Sequence, residues 1–185
     1  MNVLLHTCCA PCASQCVSVL RELGHAVTLF FSNANIAPEA EYLRRLDAVH
    51  TLADRWALPL VIDETSHEDW LSQVAAGFEA EPERGARCGR CFRYSLSRAY
   101  QAMEAQGLDA FTTSLTISPH KPSPLIFEIG RSLAPSRFLA IDFKKNDGFR
   151  QSVQLAAGMG LYRQVYCGCE FSARDGLTDT ATPQP

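Results

Sequence analysis

His6-Thr7-Cys8-Cys9-Ala10-Pro11-Cys12 follows a short apolar run, Val3-Leu4-Leu5, and precedes a segment with helical periodicity over 13–23. An apolar run that ends in a turn and passes straight into a helix is the repeating unit of parallel α/β folds. Ligands bind at such turns, because the strand end opens on a crevice and the helix start offers free N–H groups. In this chain the turn carries three thiols. The stretch predicts both the fold and the kind of chemistry placed in it.

The alternation continues beyond it. Val27-Thr28-Leu29-Phe30-Phe31 is β-branched and aromatic and runs into Ser32-Asn33-Ala34-Asn35, residues that favour turns. Apolar residues recur at helical spacing over 39–57, with Glu41, Arg44, Arg45 and Asp54 between them. Residues 58–63 predict a third strand, and Ser66 opens a short capped helix. Residues 79–85 read as irregular, and a helix over 92–106 carries Cys88-Gly89-Arg90-Cys91 at its entrance. Strands are predicted over 110–115 and 138–141, helices over 124–133 and 151–158, and an extended segment over 161–166. Strands separated by helices predict an α/β fold: a Rossmann-like three-layer α/β/α sandwich (HUP-like) with a mostly parallel sheet. Its metal site would lie at the carboxyl rim, where the loops after Leu5, Thr113 and Ile141 converge.

Composition sets the frame for that fold. A length of 185 residues with 46% hydrophobic and 20% charged content suits one well-buried domain. We read residues 1–172 as a single metal-binding catalytic domain and the polar, Thr- and Pro-rich residues 173–185 as a flexible tail. A net charge of −3 speaks against a generally basic nucleic-acid coat and leaves room for a local patch. The N-terminus has neither a basic leader nor a long apolar run, which predicts a cytoplasmic protein, away from membranes, with reduced thiols.

Seven of the eight cysteines fall into three groups: Cys8, Cys9 and Cys12; Cys88 and Cys91; Cys167 and Cys169. The C-x-x-C and C-x-C spacings let neighbouring thiolates face one metal, with Gly89 and Gly168 relieving crowding. A structural Cys₄ zinc would use only four of the seven. Disulfide pairing is the other bland reading, and a reducing compartment disfavours it. Seven clustered thiols suit a cluster plus a nearby mononuclear metal. Cys16, one helical turn after Cys12, reads as a packing residue. His6 reads as packed or hydrogen-bonded rather than ligating.

Basic residues gather near these groups. His120, Lys121, Lys144, Lys145 and Arg163 lie in predicted loops where substrate or phosphate contact is plausible chemistry. Arg84, Arg87, Arg90, Arg93 and Arg98 form a positive run around the second thiol pair, and Arg90 and Arg93 are candidate contacts to a nucleic-acid backbone.

Five stretches resemble the QueH-type, cobalamin-independent epoxyqueuosine reductases. They are His6-Thr7-Cys8-Cys9-Ala10-Pro11-Cys12, Arg87-Cys88-Gly89-Arg90-Cys91-Phe92, Thr112-Thr113-Ser114-Leu115 with Ser118-Pro119-His120-Lys121, Asp142-Phe143-Lys144-Lys145, and Leu161-Tyr162-Arg163-Gln164-Val165-Tyr166-Cys167-Gly168-Cys169. They span residues 6 to 169 in order, so the resemblance covers nearly the whole chain. Two departures, Pro82-Glu83-Arg84-Gly85-Ala86 in place of a Gly pair and Pro122 in place of Asn, fall in loops beside the thiols. The resemblance implies a [4Fe–4S] cluster and a further cysteine-bound mononuclear iron, replaced by zinc in an aerobic preparation. It also implies a tRNA partner bearing epoxyqueuosine in its anticodon loop, an electron donor not identified by the sequence, and loss of the epoxide oxygen to give queuosine. Two rival readings are an iron–sulfur tRNA-thiolating enzyme of the ATP pyrophosphatase type and a non-catalytic, zinc-stabilised RNA-binding module. The first needs a glycine-rich phosphate loop after the first strand, where this chain has cysteines and Pro11, which has no N–H.

Overall fold

The computed structural model describes residues 1–172. The tail predicted over 173–185 lies outside the described residues. Four parallel strands, β1 (Asn2–His6), β2 (Ala26–Phe31), β3 (Leu60–Ile62) and β4 (Ala110–Thr113), form one sheet in the order β3-β2-β1-β4. The chain winds outward from β1 in one direction to β3 and then crosses back to place β4 on its other side. The switch point therefore lies between the carboxyl ends of β1 and β4, where α/β sheets open a crevice.

Side chains alternate along each strand, so each strand feeds two cores. Val3, Leu5, Val27, Leu29 and Phe31 face one side and pack with Cys16 and Leu20 of α1 (Ala10–Glu22), Val49 and Leu52 of α2 (Glu39–Trp56), and Ala156 of α6 (Gly148–Met159). Leu4, Phe30 and Phe111 face the other side and meet Leu96 and Met103 of α4 (Ala86–Ala105) and Ile126 and Ile129 of α5 (Ser123–Leu133). The expected α/β sandwich is present, with helices on both faces. Cys16 is fully buried among the α1 core residues, as its position suggested.

Three local expectations need correction. Residues 138–141 form no strand: a single parallel bridge joins Phe138 to Phe111, after which the Ile141 N–H turns back to the Leu139 carbonyl. Residues 161–166 run without a ladder partner, so no strand forms there either. Cys88 and Cys91 lie within α4 rather than before it, because the helix begins at Ala86, whose N–H is taken by the Glu81 carboxylate. The short helix α3 (His67–Trp70) opens as expected on Ser66, with a reciprocal Ser66–Asp69 capping box, and continues as a π turn over Leu71–Ala75.

Candidate metal centre

The rim is fixed first by hydrogen bonds that do not involve sulfur. His6 ends β1, only 1% exposed, and its Nε2 lies 3.2 Å from the Ser32 carbonyl while Nδ1 lies 2.9 Å from the Thr113 hydroxyl. A carbonyl only accepts, so the proton sits on Nε2, and Nδ1 accepts from Thr113. Burial lowers the His6 pKa, which keeps this neutral tautomer. With both nitrogens engaged, His6 ties β1 to β2 and β4 and is no ligand. Asn33 adds a second tie, donating to the Thr7 carbonyl at 2.9 Å.

Just beyond, the Sγ atoms of Cys8, Cys9 and Cys12 lie within 4.8 Å of one another, a group able to hold a metal ion. Cys9 is the N-cap of α1 in extended conformation with no side-chain cap, so the unpaired end of the helix faces the sulfurs and favours negative charge there. The Ser114 hydroxyl lies 3.4 Å from Cys8 Sγ, and Gln164 Nε2 lies 2.9 Å from Cys9 Sγ. Hydrogen bonds from Cys12 and Cys9 hold the Cys8 pKa well below the usual thiol range, helped by Lys121 and Ser114, while the same contacts push Cys12 up. Burial pushes Cys9 up to about 12. The trio ionises once with ease, and a metal would have to displace the remaining protons.

The other two groups reach the same place from opposite sides of the sheet. Cys8, Cys12, Cys88, Cys91, Cys167 and Cys169 all line one cleft of about 700 Å³, with Cys9 adjoining through its contacts to Cys8 and Cys12. The backbone N–H of Arg84 donates to Cys88 Sγ at 3.2 Å, and burial pushes Cys91 up to about 12. The loop with Cys167 and Cys169 is held from α2: Arg45 donates to the carbonyls of Cys167 (3.0 Å) and Tyr166 (3.2 Å) and to Glu41 (2.7 Å). The Tyr162 hydroxyl donates to the other Glu41 oxygen at 2.8 Å, and the Tyr166 hydroxyl to the Ala37 carbonyl at 2.7 Å.

The basic candidates divide. His120, Lys121 and Arg163 line the cleft with the thiols. Burial disfavours the Lys121 ammonium, but the negative charge of Cys167 and of the Cys8, Cys12 and Cys9 group outweighs it and raises its pKa. Lys144 stands behind Lys121, donating to its carbonyl (3.1 Å) and to Ser123 (2.5 Å), and Lys145 is exposed outside the lining. Arg90 gives Nε to the Val74 carbonyl (3.0 Å) and Nη2 to that of Gln73 (2.6 Å). Arg93 is exposed, 3.4 Å from the Ser132 hydroxyl, and neither arginine lines the cleft. Arg84 does line it, and donates to His120 Nδ1 at 3.1 Å.

Sequence reasoning gave no role to Arg45, Trp70 or Gln164. The Glu41–Arg45 spacing was the available signal, but such i,i+4 pairs usually lie in solvent. Here Glu41 is 7% and Arg45 2% exposed. A polar lining with thiols, a cation and unsatisfied donors fits a thiolate-bound metal centre: among the described residues the buried N–H groups of Trp70 Nε1 and Arg87 Nε, both on residues of this cleft, have no acceptor, and the Gln164 Oε1 acceptor has no donor.

Comparison with known proteins agrees with this arrangement. A family model described as "Epoxyqueuosine reductase QueH" matches residues 3–175. The chain is 35% identical over 182 residues to the epoxyqueuosine reductase QueH of Streptococcus pyogenes serotype M1, covering 94% of this chain and 71% of that protein. It is 34% identical over 177 residues to that of Thermotoga maritima, covering 92% and 90%. A third relative, from Staphylococcus epidermidis, is 34% identical over 182 residues, covering 93% and 76%. The cysteine-lined cleft at the switch point is thus carried by a member of an oxidoreductase family: the chain belongs to the epoxyqueuosine reductases of the QueH type.

Proposed function

We propose that the protein reduces epoxyqueuosine in the anticodon loop of tRNA to queuosine, as a cytoplasmic enzyme whose catalytic domain spans residues 1–172. The convergence of Cys8, Cys12, Cys88, Cys91, Cys167 and Cys169 on one cleft carries this reading. In the reaction both C–O bonds of the epoxide break, a C=C bond forms, and the oxygen leaves as water, consuming two electrons and two protons. The electrons come from an external donor.

Seven thiols exceed one tetrahedral site, and Cys8, Cys9, Cys12, Cys88, Cys91, Cys167 and Cys169 together suffice for a [4Fe–4S] cluster and a mononuclear iron. Bound there, such a pair supplies single electrons and a Lewis acid for the epoxide oxygen. Lys121 offsets thiolate charge and offers a hydrogen-bond donor inside the cleft, with Lys144 fixing its backbone. His120, Arg84 and Arg163 bring positive or donor groups to the rim, and Lys145, Arg90 and Arg93 extend the basic surface for the tRNA backbone. RNA readers take unstacked loop bases, and a cleft of about 700 Å³ admits one modified base.

The test is direct. Protein reconstituted anaerobically with iron and sulfide is reduced, incubated with tRNA containing epoxyqueuosine, and the digested nucleosides are separated. Queuosine is the expected product, and unchanged epoxyqueuosine would count against the reading. Stoichiometric zinc without acid-labile sulfide in anaerobically purified protein would point to a zinc-stabilised module instead. Cys88→Ser should lower iron and sulfide content.

A further inference from the structure

Most of the polar groups around the cleft sulfurs are already committed. Ser114, Gln164 and the Arg84 N–H face Cys8, Cys9 and Cys88. Two buried N–H donors are not. Trp70 is 1% exposed, lines the cleft, and its Nε1–H reaches no acceptor within the described residues. Arg87 is also 1% exposed; its Nη1 lies 2.8, 3.1 and 2.6 Å from the carbonyls of Phe78, Glu79 and Glu81, while its Nε–H has no partner among the described residues. Orphaned buried donors are rare, because each forfeits its bonds to water and gains none in return.

Both donors adjoin thiols. Trp70 packs in one small cluster with Cys169 and Cys91. Arg87 stands one position before Cys88, with its guanidinium 4.5 Å over the Phe171 ring, two residues past Cys169. Neither donor is loosely held. The Trp70 ring is stacked on His67 at 5.8 Å and 14°, at the junction of α3 with the π turn. Arg87 is anchored by its carbonyl contacts, and no carboxylate neutralises it among the described ion pairs.

We propose that Trp70 Nε1–H and Arg87 Nε–H donate hydrogen bonds to the metal-bound sulfurs of Cys91 and Cys169, and that they raise the reduction potential of the centre. Donors and positive charge beside sulfur stabilise the more negative, reduced state more than the oxidised one. The redox part of the inference rests on the iron–sulfur reading above; the hydrogen bonds require only thiolate-bound metal.

The experiment has two arms on the full chain. In the first, protein ¹⁵N-labelled at tryptophan is loaded with zinc, which is diamagnetic, and its indole N–H signals are followed. The chain has two tryptophans, and Trp56, at the far end of α2, is the internal control. The Trp70 proton should move downfield on loading while that of Trp56 stays; an unmoved Trp70 signal overturns the proposal whatever the native metal is. In the second, wild type and Trp70→Phe are reconstituted with iron and sulfide and titrated with dithionite under EPR. At the wild-type midpoint the reduced-to-oxidised ratio in Trp70→Phe should fall about tenfold, equal to 59 mV for one electron. An unchanged midpoint at wild-type iron content overturns the proposal. If Trp70→Phe loads poorly, Arg87→Lys, which keeps the charge and removes the Nε–H, takes its place with the same two outcomes. If wild type itself takes up no sulfide, the iron–sulfur reading fails and the zinc arm still decides the hydrogen bond.

Discussion

Arg45 on α2 reaches the carbonyl of Cys167 at 3.0 Å, although 122 residues separate them in the chain. The same guanidinium holds Glu41 and the Tyr166 carbonyl, so one buried cation sets the path of the loop that brings Cys167 and Cys169 to the cleft. Arg45→Met leaves the Glu41 carboxylate buried without its cation, and breaking a buried pair in this way costs about 3–5 kcal/mol. Chemical denaturation should show that loss, and metal per chain should fall with it.

Gly168 lies between those two cysteines with φ +134, and a Cβ there would meet Ile36 at 3.0 Å, Arg45 Nη1 at 3.2 Å and Asn35 at 3.3 Å. Gly168→Ala should displace the loop at a cost of about 1–3 kcal/mol and reduce metal binding. Cys8, Cys9 and Cys12 stay in place, so a residual fraction of metal bound at that trio is the expected outcome of titrating the variant with zinc.

His6 gives the opposite result. Both its nitrogens are used on Ser32 and Thr113, so His6→Ala should lower stability by about 1–3 kcal/mol per orphaned partner without changing metal stoichiometry. Metal analysis of the purified variant beside its denaturation curve separates this role from ligation.

Lys121 and Lys144 should differ in kind. Lys121→Ala removes the cleft ammonium and should lower kcat/KM by about 1.5–3 kcal/mol, roughly ten- to a hundredfold, with the fold intact. Lys144→Ala frees the Lys121 carbonyl and Ser123, and its smaller loss should be accompanied by a lower melting temperature.

Asp63 gives a pH dependence. Burial opposes its carboxylate, but hydrogen bonds from Arg98, Ser32 and Thr65 outweigh that and hold its pKa below the ordinary value. A carboxyl with a folded pKa below its unfolded one stabilises the protein above the unfolded value, about 3.9, and loses that contribution as pH falls through the folded one. Asp63→Asn should therefore be less stable than wild type at pH 7 by about 1–3 kcal/mol, with the gap narrowing in acid, as denaturation at a series of pH values would read.

How far the sequence discloses this architecture depends on the range of the interactions involved. Residues 27–31 and 39–57 carry strand and helix patterns in their own composition, and the structure has both elements there. Residues 138–141 have strand composition too, yet they make only the single bridge of Phe138 to Phe111, because pairing is decided by the neighbouring strand and the chain turns after Leu139. Cysteine spacing marked the trio able to hold a metal, since Cys8, Cys9 and Cys12 are local. The groups that shape the rest of the cleft are not. Glu41 and Arg45 have the spacing of a solvent-exposed pair and become buried only when residues 162–168 fold over them. Arg87 reads as surface charge, yet it is buried and turns to carbonyls of the segment between α3 and α4.

The bonds from His6 and Asn33 across the ends of β1, β2 and β4 involve no sulfur. Where folding waits for a metal, chelation is unfolding. In this protein the strand ends are clamped by an imidazole and an amide, so the rim is a jig that keeps its shape when stripped, and circular dichroism should be the same before and after chelation. A metal centre of the kind proposed would then be fitted to a finished protein, and one damaged by oxygen would be rebuilt in place without a new chain being made.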